Sequence, residues 1–221
     1  MTTLPAELAF RARAWLADDP DPETRAELDA LLAGDDADAV IERFSGRLQF
    51  GTAGIRGLLG AGPMRMNRVV VQQVSAGLAT YLADTVPNAK DRGIVIGYDG
   101  RKNSLRFAED TAEIFLGAGF AVWMGDTVWP TPLTAFALQQ QNAAAAVMVT
   151  ASHNPPAYNG YKVYWEIGAQ IVPPHDTGIA SAIEDVGPTQ MLPRGDLGTV
   201  SDGNHISRCH TLGTCRAWLV E

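Results

Sequence analysis

Residues 143–165 read AAAAVMVTASHNPPAYNGYKVYW and predict two adjacent strands joined by a polar loop. The first eight of these residues form a short apolar run, which is typical of a strand buried in a parallel sheet. The polar loop TASHNPP ends that strand. The pair Asn159-Gly160 favours a sharp turn, and the aromatic run at 161–165 predicts a return strand, which GAQIV at 168–172 can extend into a hairpin.

The sequence upstream of this stretch alternates between helix and strand. Helical faces are predicted at 67–84, from about 103 to 118, and from 130 to 140. Short apolar runs, RGIVIGYD at 92–99 and FAVWMG at 120–125, predict strands between them. Helix and strand in alternation, with short connections, predict an α/β sandwich with a largely parallel sheet.

Two further helices are predicted in the first 46 residues, at 5–17 and 22–45. Asp21 before Pro22 has the pattern of an N-cap followed by proline in the first turn. This helical arm holds eleven of the 25 acidic residues but only four of the 17 Lys and Arg. Its D-x-D pairs, Asp19/Asp21 and Asp36/Asp38, are expected to cap helices and to face solvent.

The composition excludes several classes of protein. A net charge of −8, concentrated at the acidic front, argues against a nucleic-acid partner. No apolar stretch is long enough to span a membrane, and the N-terminus lacks the pattern of a secretory signal. The two cysteines, Cys209 and Cys215, form neither a disulfide framework nor a zinc spacing. We therefore expect a cytoplasmic protein without a membrane partner.

Ser152 beside His153 raises the question of a serine nucleophile. The neighbours Ala151 and His153 do not match the G-x-S-x-G elbow of the α/β-hydrolases. Adjacent residues usually point their side chains in different directions, which disfavours a Ser-His pair. The residues alone leave two interpretations open, a capped structural turn and a functional loop.

Two other polar segments accompany this loop. FGTAGIRG at 50–57 contains three glycines within seven residues, which predicts a loop, and its Arg56 and backbone N–H groups would suit a phosphate. A purely structural tight loop is the alternative. GYDGRKNS at 97–104 follows the strand at 92–99, so it should share one edge of the sheet with the Ser152 loop.

These three segments resemble motifs of the α-D-phosphohexomutase superfamily, the phosphoglucomutases and phosphomannomutases. TASHNPPAYNGYK resembles the active-serine loop, FGTAGIRG the N-terminal loop, and GYDGRKNS the G-x-D-x-R-x-x-S element. The resemblance covers about residues 10–200 and is greatest to the subgroup that holds phosphopentomutase and phosphoglucomutase-2. It implies a three-layer α/β/α sandwich with a mostly parallel mixed sheet, preceded by the helical arm.

The resemblance also implies a reaction and roles for individual residues. The reaction is a reversible phosphoryl shift on glucose-1-phosphate or a pentose-1-phosphate, through a phosphoserine and a bisphosphosugar. Ser152 would carry the phosphate, Lys162 would act as acid/base, His153 would support proton transfer, and Arg56 would face the phosphate. The expected supporting residues of the phosphate loops are Thr52, Asn154, Asp99 and Arg101.

The resemblance further implies Mg²⁺ and a bisphosphosugar primer. Ser152 would be a metal ligand only through its phosphate, because no Asp-Gly-Asp-Gly-Asp-Arg loop occurs in this chain. The expected organisation is a helical arm at 1–46, the α/β/α domain at 47–186, and a linker with a tail at 187–221. After about Val200 no helical or strand period is visible, which suggests a truncated or frameshifted product. Two hypotheses follow: a phosphosugar mutase represented by its serine domain, and a non-catalytic remnant that binds phosphate or a partner.

Overall fold

The computed structural model describes residues 3–34, 36–52 and 54–198, together with the backbone of 206–209. Its α-helices are α1 (Ala6–Asp18), α2 (Pro22–Ala33), α3 (Ala37–Phe44), α4 (Arg68–Thr85), α5 (Ala89–Arg92), α6 (Ser104–Gly117), α7 (Thr131–Gln140) and α8 (His175–Glu184). Its strands are β1 (Ile55–Leu58), β2 (Ile94–Tyr98), β3 (Val122–Gly125), β4 (Ala145–Val149), β5 (Tyr158–Trp165) and β6 (Ile206–Cys209). A single 3₁₀ turn spans Thr189–Met191. None of these helices is long and apolar enough to cross a membrane.

The six strands form one mixed sheet in the order β1-β5-β4-β2-β3-β6. Strands β4, β2, β3 and β6 run parallel to one another, whereas β5 is antiparallel to both β4 and β1. The predicted mostly parallel mixed sheet is therefore confirmed. Because β5 runs back along β4, the chain that leaves the end of β4 returns beside it.

Helices cover both faces of this sheet. The larger core lies between one face and helices α4, α6 and α8, and includes Leu78, Phe115, Val147 and Ile179. The smaller core lies on the other face, where α7 packs on β2 and β4. This arrangement confirms the three-layer α/β/α sandwich, and it places α7 away from the edge formed by β5 and β1.

The helical arm consists of three helices with a small core of its own, which includes Leu28 and Phe44. Asp21 caps α2 as predicted, since its side chain accepts a hydrogen bond from Glu23 N. The prediction of one helix over 22–45 is wrong. Gly34, a poor helix former, ends α2, and Asp36 starts α3 by accepting a hydrogen bond from Ala39 N at 3.1 Å.

The glycine-rich segment 50–57 is only partly the loop that its composition predicts. Gly51 and Gly54 exchange both backbone hydrogen bonds and so close a tight turn. Ile55–Leu58 then forms β1, with Arg56 opposite Gly160. The prediction failed because pairing with β5 supplies hydrogen bonds that outweigh the weak strand propensity of glycine.

One prediction around the return strand is wrong, and another is confirmed in part. Asn159-Gly160 is not a turn but lies inside β5, because the Asn159 side chain is completely buried and anchored there. The segment 168–172 returns antiparallel beside β5, as the predicted hairpin requires, through a bridge between Tyr164 and Gln170 and a hydrogen bond from Ile171 N–H to the Val163 carbonyl at 3.3 Å. It does not form a regular strand of its own.

One strand lies in the part of the chain after Val200 that the structure describes. The backbone of Ile206–Cys209 pairs in parallel with β3, so the expectation of no regular structure after Val200 is wrong for these residues. A four-residue edge strand has too few positions for its period to be visible in sequence. Val200 itself, Cys215 and the rest of the tail lie outside the described residues.

Gly54 gives a direct test of the close approach between β1 and β5. Its φ is +76°, and a Cβ at this position would lie 1.9 Å from the Tyr161 carbonyl oxygen. We expect Gly54→Ala to lower the free energy of unfolding by about 3 kcal/mol, through backbone strain and steric overlap. Urea denaturation followed by circular dichroism measures this change.

Gly51→Ala is the matched control, since a Cβ there would meet nothing within 4 Å. Its unfolding free energy should stay within about 1 kcal/mol of wild type. Equal urea midpoints for the two variants would contradict the packing described for Gly54.

Candidate functional site

Three polar segments meet at the carboxyl ends of β2 and β4. Asp99, which follows β2, donates its backbone N–H to the Val149 carbonyl at 3.1 Å. Thr150, which follows β4, donates its backbone N–H to the Gly160 carbonyl of β5 at 3.0 Å. Strand β1 lies on the far side of β5 and brings Arg56 to the same region. The three motifs singled out in the sequence therefore form one surface.

Ser152 occupies the tip of the loop that follows β4. Its side chain is exposed, and its φ of +58° places it in the left-handed region, which costs a non-glycine residue roughly 1–3 kcal/mol. The Ser152 N–H donates to Thr150 Oγ1 at 2.8 Å, and this bond helps to hold the conformation. A hydroxyl presented in this way is open to a ligand.

His153 lies next to Ser152 but does not form a catalytic pair with it. The distance from Ser152 Oγ to His153 Nδ1 is 3.5 Å, the upper limit for a hydrogen bond. No carboxylate contacts His153 within the described part of the chain. A Ser-His-acid triad is therefore not assembled here, which argues against the hydrolase interpretation of Ser152.

The guanidinium of Arg101 holds the loop closed. Its two terminal nitrogens donate to four backbone carbonyl oxygens of the loop, those of Ser152, Asn154, Pro155 and Tyr158, at 2.7–3.2 Å. Asp99 Oδ2 lies 3.3 Å from Arg101 Nε and orients the guanidinium. Asp99 and Arg101 thus act on the loop that carries Ser152.

A buried amide, missed in the sequence, anchors this arrangement. Asn159 Nδ2 donates to Ser104 Oγ and to the Lys102 carbonyl, each at 3.0 Å, and Ser104 Oγ donates to Asp99 Oδ1 at 2.6 Å. A continuous hydrogen-bond chain therefore runs from β5 through Asp99 to Arg101. The sequence did offer a signal for this role. Asn159 lies two residues before Tyr161, so in a strand both side chains face the core, and a polar side chain in such a position needs buried partners.

Arg56 and Lys162 lie on the opposite face of the sheet from Tyr161. Arg56 Nη1 donates to Asn154 Oδ1 at 2.9 Å, and neither cation makes an ion pair with a carboxylate in the described ranges. Burial lowers the pKa of the Lys162 ammonium below its usual value, and the nearby charge of Arg56 lowers it further. The result is a local cationic surface on an acidic chain.

Most, but not all, of the predicted site residues contact another residue of the site. Direct contacts link Ser152 to His153, Arg101 to Asp99 and the loop, and Asn154 to Arg56. Thr52 is exposed in the tight turn before β1, and its side chain makes no hydrogen bond to the Ser152 loop in the described part of the chain. Its predicted role in supporting a phosphate therefore stays a prediction.

The residues around Ser152 do not form a Mg²⁺ site by themselves. No three side chains of His, Cys, Asp or Glu converge among residues 3–198, as far as these are described. Asp99, which is connected to this loop through Arg101, already accepts hydrogen bonds from Ser104 Oγ and Arg101 N through Oδ1. Mg²⁺ prefers six oxygen ligands, and this donor set is too small.

Asn159 should be essential for the order of the serine loop. Asn159→Ala removes the acceptor of the Gly160 N–H and leaves Ser104 and the Lys102 carbonyl without their donor. We expect a loss of about 2–3 kcal/mol in unfolding free energy and faster amide hydrogen exchange across 152–158. Mass-spectrometric hydrogen exchange measures the second effect. Gln141→Ala, at an exposed glutamine directly after α7, is the control and should change neither the unfolding free energy nor the exchange of 152–158. If hydrogen exchange across 152–158 stayed unaltered in Asn159→Ala, the anchoring role would be ruled out.

The pKa of Lys162 should respond to Arg56. Arg56→Ala removes a positive charge, so the pKa of Lys162 should rise towards its usual value but stay below it, because burial is the larger cause of the shift. NMR titration of the Lys162 Cε resonance measures this. Arg47→Ala, at a partly buried arginine outside this surface, should leave the Lys162 pKa unchanged. A fall in the pKa on removing Arg56 would contradict the proximity of the two cations.

Comparisons with known proteins agree with this geometry. Residues 47–189 match the family model described as phosphoglucomutase/phosphomannomutase, alpha/beta/alpha domain I. The chain is 39% identical to the phosphopentomutase of Mus musculus over 186 residues, 81% of this chain and 30% of that protein. It is 42% identical to the phosphoribomutase of Saccharomyces cerevisiae over 187 residues, 83% of this chain and 30% of that protein.

Two further comparisons extend this result. The glucose 1,6-bisphosphate synthase of Mus musculus is 40% identical over 177 residues, 77% of this chain and 28% of that protein. A solved phosphoglucomutase/phosphomannomutase family protein from Burkholderia thailandensis superposes with a TM-score of 0.57 at 22% identity, over 75% of this chain and 34% of that one, and so shares the fold. The chain spans about 30% of the length of these relatives. It belongs to the phosphoglucomutase/phosphomannomutase family, and the part that it represents is the α/β/α domain I.

Proposed function

We propose that the chain carries the catalytic-serine domain of a phosphosugar mutase, with Ser152 as the residue that is phosphorylated. One observation carries this proposal. The exposed hydroxyl of Ser152 shares its surface with two cations, Arg56 and Lys162, that no carboxylate neutralises within the described ranges. An anion at Ser152 would supply the missing negative charge.

The charge of a phosphoserine fits this surface. A phosphoserine carries about −1.5 to −2 charges at neutral pH and offers three acceptor oxygens. Arg56 retains free N–H groups after its single bond to Asn154. Catalysis of phosphoryl transfer consists mainly of positioning and charge stabilisation. The rigid loop and the two cations provide both.

The proposed step moves one phosphoryl group. The bond between Ser152 Oγ and phosphorus breaks while a sugar hydroxyl oxygen forms a new bond to the same phosphorus. The proton of that hydroxyl passes to a base, and Ser152 Oγ regains a proton. Lys162 suits the acid/base, because burial and the charge of Arg56 both lower its pKa and so ease the loss of its proton: its protonated form stabilises the phosphate, and its neutral form accepts the hydroxyl proton. His153, Thr52 and Asn154 would support the phosphate or the proton transfer.

The substrate class follows from the relatives. Their names include phosphopentomutase, phosphoribomutase and glucose 1,6-bisphosphate synthase. We therefore infer a pentose-1-phosphate or glucose-1-phosphate as substrate, with a bisphosphosugar as the species that primes Ser152. Any Mg²⁺ would need ligands outside the described residues, so the chain alone should turn over little substrate. The exposed Arg56 and its neighbour Lys162 would also suit a second candidate, the remnant domain that binds phosphate without transferring it.

Phosphorylation of Ser152 is the direct test. After incubation with glucose 1,6-bisphosphate, intact mass spectrometry should show one added phosphate, and peptide mapping should place it on Ser152. The mass increase should be absent in Ser152→Ala. Phosphate confined to another residue would contradict the assignment, and a Ser152 that stays unmodified would favour the remnant.

A coupled mutase assay tests the activity of the chain itself. With ribose-1-phosphate or glucose-1-phosphate, Mg²⁺ and the bisphosphate primer, turnover should stay at the level of Ser152→Ala. Robust turnover that depends on Ser152 would overturn the expected inactivity of this chain while supporting the proposed reaction.

A further inference from the structure

Asn154 is the point at which the three motifs of the site are joined. Its side-chain Oδ1 accepts a hydrogen bond from Arg56 Nη1 of β1 at 2.9 Å. Its backbone carbonyl accepts from Arg101 Nη2, in the loop after β2, at 2.7 Å. Its backbone N–H donates to the Ala151 carbonyl at 3.1 Å within the serine loop. One residue therefore fixes the position of Arg56 relative to Ser152.

Arg56 depends on Asn154 for its orientation. The Arg56 side chain is exposed and has no other hydrogen-bond partner in the part of the chain that the structure describes. It extends from β1 opposite Gly160, where an added Cβ would lie 3.5 Å from Arg56 Cβ. The amide of Asn154 thus selects one direction for a side chain that could otherwise sample many.

The partner of Arg56 differs in charge from the partners of neighbouring arginines. Arg65 pairs with Glu42, Arg68 with Asp110, and Arg101 with Asp99. Each of these guanidinium charges is balanced by a carboxylate, whereas Arg56 is held by a neutral amide. An amide orients the guanidinium through a hydrogen bond and leaves its full charge available to an anion.

We propose that Asn154 is a positioning residue for the phosphate on Ser152, and that it must be neutral to act as one. It holds Arg56 towards the serine loop without compensating its charge. This inference rests on the proposed function. It adds the requirement that residue 154 be uncharged, whereas the family resemblance implied only that Asn154 supports the phosphate loop. An aspartate of the same size would keep the contact to Arg56 but repel the anion.

The pair Asn154→Asp and Asn154→Ala separates this role from a structural one. In the full 221-residue chain, titration with inorganic phosphate is followed by NMR through the Arg56 Nε–H resonance and the backbone amides of 152–154. We expect Asn154→Asp to weaken phosphate binding by about tenfold, because it adds a negative charge within a few ångströms of the ligand. Asn154→Ala should weaken binding by about threefold, the effect of a less ordered arginine.

The two variants should rank differently in thermal stability and in phosphate affinity. Asn154→Asp forms an exposed ion pair with Arg56, worth about 0–1 kcal/mol, so its thermal midpoint should equal or exceed that of wild type. If Asn154 had only a structural role, the more stable of the Asp and Ala variants would also bind phosphate more tightly. The proposal requires the reverse, a stable Asp variant that binds phosphate more weakly than the Ala variant.

The outcomes distinguish this inference from the function beneath it. Equal affinities of the Asp and Ala variants, or wild-type affinity in the Asp variant, would overturn the role of Asn154 and leave the proposed function standing. A wild-type chain in which phosphate shifts neither the Arg56 nor the Lys162 resonances would contradict phosphate binding at this surface, and the proposal for Asn154 with it.

Discussion

The contact between the Arg101 guanidinium and four carbonyl oxygens of the serine loop is the constraint on which the site depends. Residues 152–158 include two prolines, which donate no backbone hydrogen bonds, so the loop depends on few backbone bonds of its own, among them those from Asn154 N–H to the Ala151 carbonyl and from Tyr158 N–H to the Pro155 carbonyl. A planar group with five N–H donors can satisfy several converging carbonyls at once, which a lysine could not do. The left-handed backbone of Ser152 is sustained by this clamp.

The clamp is in turn fixed from the interior of the sheet. Asn159, on the core-facing side of β5, connects through Ser104 to the carboxylate of Asp99, which orients Arg101. The exposed loop is therefore continuous with buried structure. This continuity explains how a surface loop can hold a serine in a strained conformation.

Sequence alone predicted the features that local physics controls. The apolar runs that became β2 and β4, the cap at Asp21, and the meeting of two polar loops at one sheet edge all follow from local patterns. Two of the failures share a different cause. Gly57 and the Asn159-Gly160 pair have turn propensity, but partners distant in sequence placed them in strands. Hydrogen bonds across 98 or 55 residues, as for Arg56 and Asn159, cannot be seen in a window of local sequence.

The position of Gly160 in β5 shows that the placement of the charged side chains on this surface depends on strand register. Gly160 faces Arg56 in the neighbouring strand, and Lys162 follows two residues later on the same face. A slip of one residue would move Lys162 to the core side of the sheet, and a slip of two would move it by about 7 Å along the strand. The buried amide of Asn159 and the close approach at Gly54 both oppose such slips. In this domain, backbone pairing thus sets the position of Lys162 relative to Arg56 and the Ser152 loop as directly as the side chains do.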